Sequence, residues 1–325
     1  MKISVCIPLY NGEHCIESAL ASLEAQTRQP DEVIIRDDCS NDSGRNIINK
    51  FSNLCIDFYT NNKNLGTVSN WNKCLEDATG DIVTFLHQDD GFEPEFLSNV
   101  EKDFLNNFDK IGLWYCNSYI KDTPIIPSNR DSGILQRQAS INNFYTWDEA
   151  PAPTGVSFKN LALQDIGIYD PIYKIVCEPD LYLRLVLGGY SVFKSEEFLV
   201  WRTLPATRAT NTVGGTELYY NEWLMFLEEH SANGELVNKE MIIRALSNFY
   251  DHSSSSIVSN VIKLRFREAI GTIKTIFTRA RNFEVAHGVD EMGLTKFIFL
   301  VFKNMLRNLY FFLRSRLALI YRRIK

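Results

Sequence analysis

The sequence holds none of the short devices that announce phosphate-loop or zinc chemistry. Gly-Lys-Ser/Thr occurs nowhere, and no Gly-x-Gly-x-x-Gly follows the first strand-like run, which ends in Pro8-Leu-Tyr10-Asn11-Gly12. P-loop and dinucleotide-fold chemistry therefore lack their phosphate-binding devices. Seven cysteines (6, 15, 39, 55, 74, 116 and 177) are an odd number, scattered, with no Cys-x-x-Cys among them. That excludes an obvious disulfide framework or zinc site and fits a reduced, cytosolic setting. Internal repeats are absent, and low complexity is confined to Ser253–Ser256, read as an inter-helix turn. The amino terminus runs straight into strand-like Ile3-Ser-Val-Cys-Ile-Pro8, so no signal peptide is expected.

What is present is an ordinary folding composition, 45% hydrophobic and 23% charged over 325 residues, ample for a large domain with an appendage. The net charge of −6 is unevenly spread. Residues 294–325 carry eight Lys or Arg and no acid, leaving the rest with 26 basic against 40 acidic residues, or −14. So acidic a body argues against a nucleic-acid surface.

Along the first 120 residues, strand and helix patterns alternate. Strand-like runs are 2–8, 32–36, 55–60, 82–86 and 111–116; helix-like segments are 13–26, 43–51, 67–78 and 93–106. This predicts a parallel, doubly wound α/β sheet. Residues 121–150 are polar and turn-rich and read as a long loop region. Sheet character returns at 154–158, a helix starts near Glu178-Pro179-Asp180 and stops at Gly188-Gly189, and Tyr190–Lys194 reads as a strand. From about Glu217 the pattern is helical.

The most informative stretch is Thr84-Phe-Leu-His-Gln-Asp89-Asp90, where an apolar strand ends in two adjacent carboxylates. Open α/β sheets place ligands at the carboxyl ends of their strands. Adjacent carboxylates repel, so a bound cation is one reason to keep them together, a solvated loop being the alternative. The second strand ends likewise in Arg36-Asp37-Asp38-Cys39-Ser40-Asn41-Asp42, where a carboxylate can accept from a base imide or ribose hydroxyl. Capping of the next helix by Ser40, Asn41 or Asp42 is the structural alternative.

Four segments taken in order resemble the family-two glycosyltransferases of the GT-A fold. They are Ile3-Ser-Val-Cys-Ile-Pro-Leu-Tyr-Asn-Gly12; Asp31-Glu-Val-Ile-Ile-Arg-Asp-Asp-Cys-Ser-Asn-Asp42; Asn64-Leu-Gly66 through Asp81-Ile-Val-Thr-Phe-Leu-His-Gln-Asp-Asp90; and Gly167-Ile-Tyr-Asp170 through Glu178-Pro-Asp-Leu-Tyr-Leu-Arg184. The resemblance covers about residues 1–205. It implies a Rossmann-like, doubly wound, mostly parallel α/β domain with a helical C-terminal extension, and an inverting sugar transfer from a nucleotide donor, UDP-linked above all. It further implies that Pro8, Tyr10 and Asn11 line the nucleoside pocket and that Asp38 binds the base. Asp89 would approach the ribose, and Asp90 would ligate Mn²⁺ or Mg²⁺ on the diphosphate. Glu178 aligns with the family's general base, a helix start with acids on the dipole being its alternative. Asp180 is assigned mainly to that helix-start role.

Three positions depart from the family pattern. His87 stands where many members carry the first aspartate of Asp-x-Asp-Asp and reads as a neutral pocket residue, with metal ligation a lesser alternative. Trp71 occupies a helix position often held by Arg. Val200-Trp-Arg-Thr-Leu-Pro205 keeps Arg202 but puts Leu204 where members often have histidine. Arg202 and Arg208 remain candidates for diphosphate contact, with surface ion pairing the alternative.

The chain is thus expected to comprise a catalytic domain over residues 1–215, a helical extension over 216–293 and a basic amphipathic helix over 294–325. On that helix Lys296, Lys303, Arg307, Arg314 and Lys325 share a narrow sector, and its longest uncharged run, Phe297–Phe302, is far short of the ~20 residues that span a bilayer. Such a helix suits an anionic membrane interface on the cytoplasmic side, packing on protein being the alternative. Similarity to bacterial surface-polysaccharide enzymes points to a glycan or polyprenyl-linked glycan as acceptor. Two rival functions are a catalytically silent binding module in a glycan assembly complex and a sugar-nucleotide nucleotidyltransferase. The latter needs a Gly-rich pyrophosphate loop that Tyr10-Asn-Gly-Glu13 does not supply.

Overall fold

The computed structural model describes residues 1–125, 132–146, 151, 153–203, 215–231 and 240–249. By its contacts the chain divides into two compact units, Met1–Phe144 with Asp148–Ala206 and Tyr145–Trp147 with Thr207–Lys325.

The first unit is built on one twisted sheet. Strands β1 (Ile3–Leu9), β2 (Glu32–Asp37), β3 (Ile56–Thr60) and β4 (Ile82–Phe85) run parallel in the order β3-β2-β1-β4. β1 and β4 are buried on both faces, which is why they read as unbroken apolar runs rather than alternating ones. The helices between them are α1 (Ile16–Glu24), α2 (Gly44–Ile48) and α3 (Thr67–Asp77). α1 presents Ile16, Ala19, Leu20 and Leu23 at i, i+3, i+4 and i+7 to the core.

Beyond β4 the sheet continues through β8 (Val156–Lys159), β6 (Ile111–Ile120), β9 (Ser191–Arg202) and the short β5 (Gly91–Phe92), with β7 (Gly133–Ile134) pairing on β9. β8 lies antiparallel to both β4 and β6, while the long β6–β9 pairing is parallel. The parallel pairings carry most of the register, and the antiparallel β8 lets a strand from late in the chain enter the middle of the sheet. Helix α4 (Phe96–Asn107) buries Phe96, Val100 and Phe104; α6 (Asn160–Ile166) and α7 (Cys177–Leu187) follow β8.

The expected loop over 121–150 is corrected in part, because β7 and helix α5 (Arg137–Thr146) lie within it. α5 carries almost no amphipathic signal; its buried Ile141, Phe144 and Tyr145 sit among polar residues that hide the period. In the second unit, helix α8 (Gly215–Ser231) contributes Tyr220, Trp223, Phe226 and Leu227, all buried, and residues 240–249 form a further helix. Tyr220 meets Phe249 edge-on at 5.4 Å. Among the described residues, no helix is long and apolar enough to cross a membrane. The basic segment 294–325 lies outside the described residues.

Candidate functional site

Three loops leave the carboxyl ends of β1, β2 and β4 side by side, because Leu9 registers with Asp37 and Cys6 with Phe85. The loops are tied to one another. The backbone N–H of Asn11 donates to Ser40 Oγ (2.9 Å), and that of Asn41 donates to Asn11 Oδ1 (3.1 Å). Gln88 clasps the Tyr10 peptide, accepting from its N–H at Oε1 (2.8 Å) and donating to its carbonyl from Nε2 (3.2 Å). Asn11 and Cys39 both take left-handed backbone conformations (φ 48° and 64°), the tight reversals that let the loops meet.

Between these loops and the start of α3 lies an open cleft of about 450 Å³. Pro8, Tyr10, Asp38 and Asp89 line it together, as do Asn64, Trp71 and His87. Tyr10 is half exposed, offering a ring face for stacking. Asn11 stands beside the cleft rather than in its wall, its side chain engaged on Asn41.

Asp38 is buried, and most of its acceptor capacity is spent within the chain. Oδ1 accepts from Asn61 Nδ2 (2.9 Å) and the Leu65 N–H (2.8 Å), and Oδ2 from the Gly66 N–H (2.9 Å). Gly66 adopts φ +84° there, open to glycine at little cost. Asp38 thus shapes the loop that walls the cleft as well as lining it. The backbone of this wall, and the exposed amide of Asn64, belong to the Asn64-Leu-Gly66 segment of the resemblance, to which the sequence assigned no role.

Trp71, at the position often held by Arg, is part of an aromatic floor. Its ring lies 5.0 Å from His87, 5.9 Å from Phe85 and 5.4 Å from Tyr169. Asn72 fixes Tyr169 by reading its peptide at both ends, at 2.7 and 3.1 Å. Burial, together with the charge of Arg202, holds His87 down at a pKa of about 4, so the imidazole is neutral at ordinary pH.

Past the cleft stands the second part of the site. Asp90 is buried, and burial beside Asp89 pushes its carboxyl up to about 6, against the pull of its hydrogen bonds. Thr154 Oγ1 donates to Oδ2 (2.6 Å) and the Thr203 N–H to Oδ1 (3.2 Å), while Arg202 Nε stands 4.0 Å from Oδ2. Thr203 Oγ1 also holds the Asp89 carbonyl (2.8 Å). Thr154 and Thr203 come from loops far away in sequence, so no local pattern marked them.

Glu178 sits in the first turn of α7, and burial pushes it up to about 7, offset in part by Arg202. Burial above all raises the Tyr169 and Tyr182 hydroxyls, and the charge of Glu178 adds to it, so Glu178 lies within electrostatic reach of both. Arg202 acts on His87, Asp90 and Glu178 alike, so the structure brings Asp90, Glu178 and Arg202 into one electrostatic neighbourhood. Asp180 instead pairs with Arg184 (2.8 Å), whose guanidinium also caps the Ile166 and Ile168 carbonyls. That is structural work of a kind the sequence did not mark, beside the helix-start position that Asp180 also holds in the first turn of α7. Leu204 and Arg208 lie outside the described residues.

Among the described residues, no three His, Cys, Asp or Glu side chains that include Asp90 bring ligand atoms within 4.8 Å of one another. Asp90 nevertheless has the chemistry of a hard-cation ligand, an oxygen donor whose ionisation is opposed by its surroundings until a positive charge arrives.

The family model described as Glycosyl transferase family 2 matches residues 4–153. The chain is 34% identical over 166 residues to the Escherichia coli UDP-Glc:alpha-D-GlcNAc-diphosphoundecaprenol beta-1,3-glucosyltransferase WfgD, an alignment spanning 51% of this chain and 56% of that one. In fold it is similar to Staphylococcus aureus TarS 1-349 in complex with UDP-GlcNAc, with a TM-score of 0.57 and 19% identity, covering 86% of this chain and 92% of that one. It is also similar to the Pyrobaculum calidifontis mannosyltransferase PcManGT in complex with GDP-Man and Mn²⁺, with a TM-score of 0.54 and 15% identity, covering 94% and 87%.

Proposed function

We propose that this chain, which belongs to glycosyl transferase family 2 and has the GT-A fold, transfers a sugar with inversion from a UDP-linked donor to a glycan or lipid-linked glycan. The observation that carries this reading is that Arg202 stands 4.0 Å from Asp90, the residue after the cleft-lining Asp89, and within electrostatic reach of Glu178. The similarity to WfgD, whose donor is UDP-Glc, supports the choice of nucleotide and the kind of acceptor.

In this reading Tyr10, Pro8 and the Asp38-shaped wall hold the nucleoside, and Asp89 takes the ribose. Asp90 would hold Mn²⁺ or Mg²⁺, hard cations suited to its carboxylate oxygens. The bound cation would stabilise the negative charge that grows on the leaving diphosphate. Arg202 supplies a second positive charge at that end. Glu178 removes the proton of the acceptor hydroxyl as that oxygen attacks the anomeric carbon in line, and its pKa of about 7 suits a base working near neutrality. The basic segment 294–325 would hold the protein at the inner face of the membrane, where a lipid-linked acceptor resides.

Calorimetry with UDP, with and without Mn²⁺, followed by a donor screen for nucleoside diphosphate release, tests this. Metal-linked UDP binding with turnover is expected, and Asp90→Asn should remove the metal linkage. Absence of UDP binding would sink the donor assignment, and UDP binding without turnover on any donor would mark a silent binding module. Glu178→Gln should lower turnover by roughly 10²–10⁴-fold with UDP affinity kept. Full activity in that variant would remove Glu178 from the mechanism.

A further inference from the structure

The two ring nitrogens of His87 stand in different surroundings. Nε2 is enclosed, with no hydrogen-bond partner, while Nδ1 is neither enclosed nor bonded within the chain, and the residue lines the cleft beside Asp89. The ring packs against Trp71 at 5.0 Å and meets Phe85 edge-on at 6.5 Å and 83°, so aromatic surface surrounds its buried side.

Placing the imidazole proton on Nε2 would bury an N–H with no acceptor, an arrangement folded proteins rarely tolerate; a bare lone pair there is the lesser cost. The proton then belongs on Nδ1, the ring nitrogen left open on a residue that lines the cleft. We propose that His87 is held as the Nδ1–H tautomer and donates that proton to an oxygen of the bound donor, fixing the position of the diphosphate-sugar end along the cleft.

The proposal rests on the nucleotide-sugar reading above for the identity of the ligand, though not for the tautomer. Several observations agree on the place. Burial first, and the charge of Arg202 second, disfavour the protonated ring, so Arg202 lies within electrostatic reach of His87. Asp89 precedes Asp90 directly, and the Asp90 N–H closes a turn on the His87 carbonyl (3.1 Å), so ring and carboxylates are fixed on one tight reversal. A neutral donor at this point takes an acceptor oxygen without adding charge to a site where Arg202 already stands 4.0 Å from Asp90. The oxygen is either a diphosphate oxygen or a hydroxyl of the transferred sugar, and the two are separable by experiment.

The tautomer is read by nitrogen-15 NMR of the full chain with labelled histidine, without ligand. A protonated-type shift at Nδ1 and an unprotonated-type shift at Nε2 are expected; the reverse overturns the proposal. Binding is read by calorimetry with UDP and with UDP-glucose in the presence of Mn²⁺. Asparagine sets its amide N–H close to the position of Nδ1, whereas glutamine reaches the position of Nε2. His87→Asn should therefore stay within about twofold of the native affinity, and His87→Gln and His87→Ala should lose about 5–10-fold, the worth of one neutral hydrogen bond. An equal loss for UDP and UDP-glucose assigns the contact to the diphosphate; a loss confined to UDP-glucose assigns it to the sugar. Native-like affinity in both His87→Gln and His87→Ala overturns the contact. Failure of the native chain to bind either nucleotide strikes the donor reading instead, and the NMR result then still decides the tautomer. Thermal melting of each variant separates lost contacts from lost folding.

Discussion

At the residue scale, Glu178 and Asp90 are carboxylates that the fold makes harder to ionise, to about 7 and about 6. Both folded-state values lie above the ordinary ones, so between roughly pH 4 and 7 the folded chain binds more protons than the unfolded chain. The contribution of these groups to stability is therefore greatest in acid and falls as pH rises through the folded values. Removing the charge should relieve this. Glu178→Gln is expected to raise the melting temperature at pH 8, by the equivalent of up to about 3 kcal/mol, and to change it little at pH 4. Melting curves at the two pH values check it, and an equal effect at both would show that the gain is not ionic. Turnover of the native chain should meanwhile rise with pH and reach half its limit near 7, since Glu178 acts only when deprotonated. The Asp89–Asp90 pair was legible because an apolar run ended on it. Thr154, Thr203 and Gln88 were not, because what they do depends on which distant loop they meet.

At the element scale, the second half of the site hangs on the short pairing of β5 with β9. Gly91 registers with Trp201 and Phe92 with Val200, which sets Arg202 next to Asp90. A Cβ on Gly91 would fall inside the Trp201 ring, whose face also carries the Lys121 ammonium at 4.1 Å. Gly91→Ala should therefore destabilise the chain by about 1–3 kcal/mol and depress turnover through Arg202. Gly91→Ala combined with Trp201→Leu should recover part of the stability, as chemical denaturation would measure; no recovery would place the strain elsewhere. This pairing had no sequence signature, since β5 is two residues long and its partner lies over a hundred positions away. The strands β1, β2 and β4 were legible because burial on both faces writes continuous apolar runs. The helix α5 was not, because its polar residues mask its period.

At the scale of the whole molecule, alternation of strand and helix announced the parallel half of the sheet. The insertion of β8 antiparallel at its centre depends on pairing with β4 and β6, segments between 41 and 77 residues away, which local pattern does not carry. The charge division between an acidic body and residues 294–325 is a property of the complete chain. Vesicles containing anionic lipid should retain the full chain and release a chain ending at Gly293, as co-sedimentation would show; equal retention of both would refute the membrane assignment. Asp38 ties the second strand's loop to the segment from Asn61 to Gly66 by three hydrogen bonds. For anyone seeking to change the nucleotide this protein accepts, that latch makes a single substitution at Asp38 a poor tool, because it would unmake the wall it was meant to retune. The transferable unit is the pair of loops, exchanged together with the aspartate that fastens them.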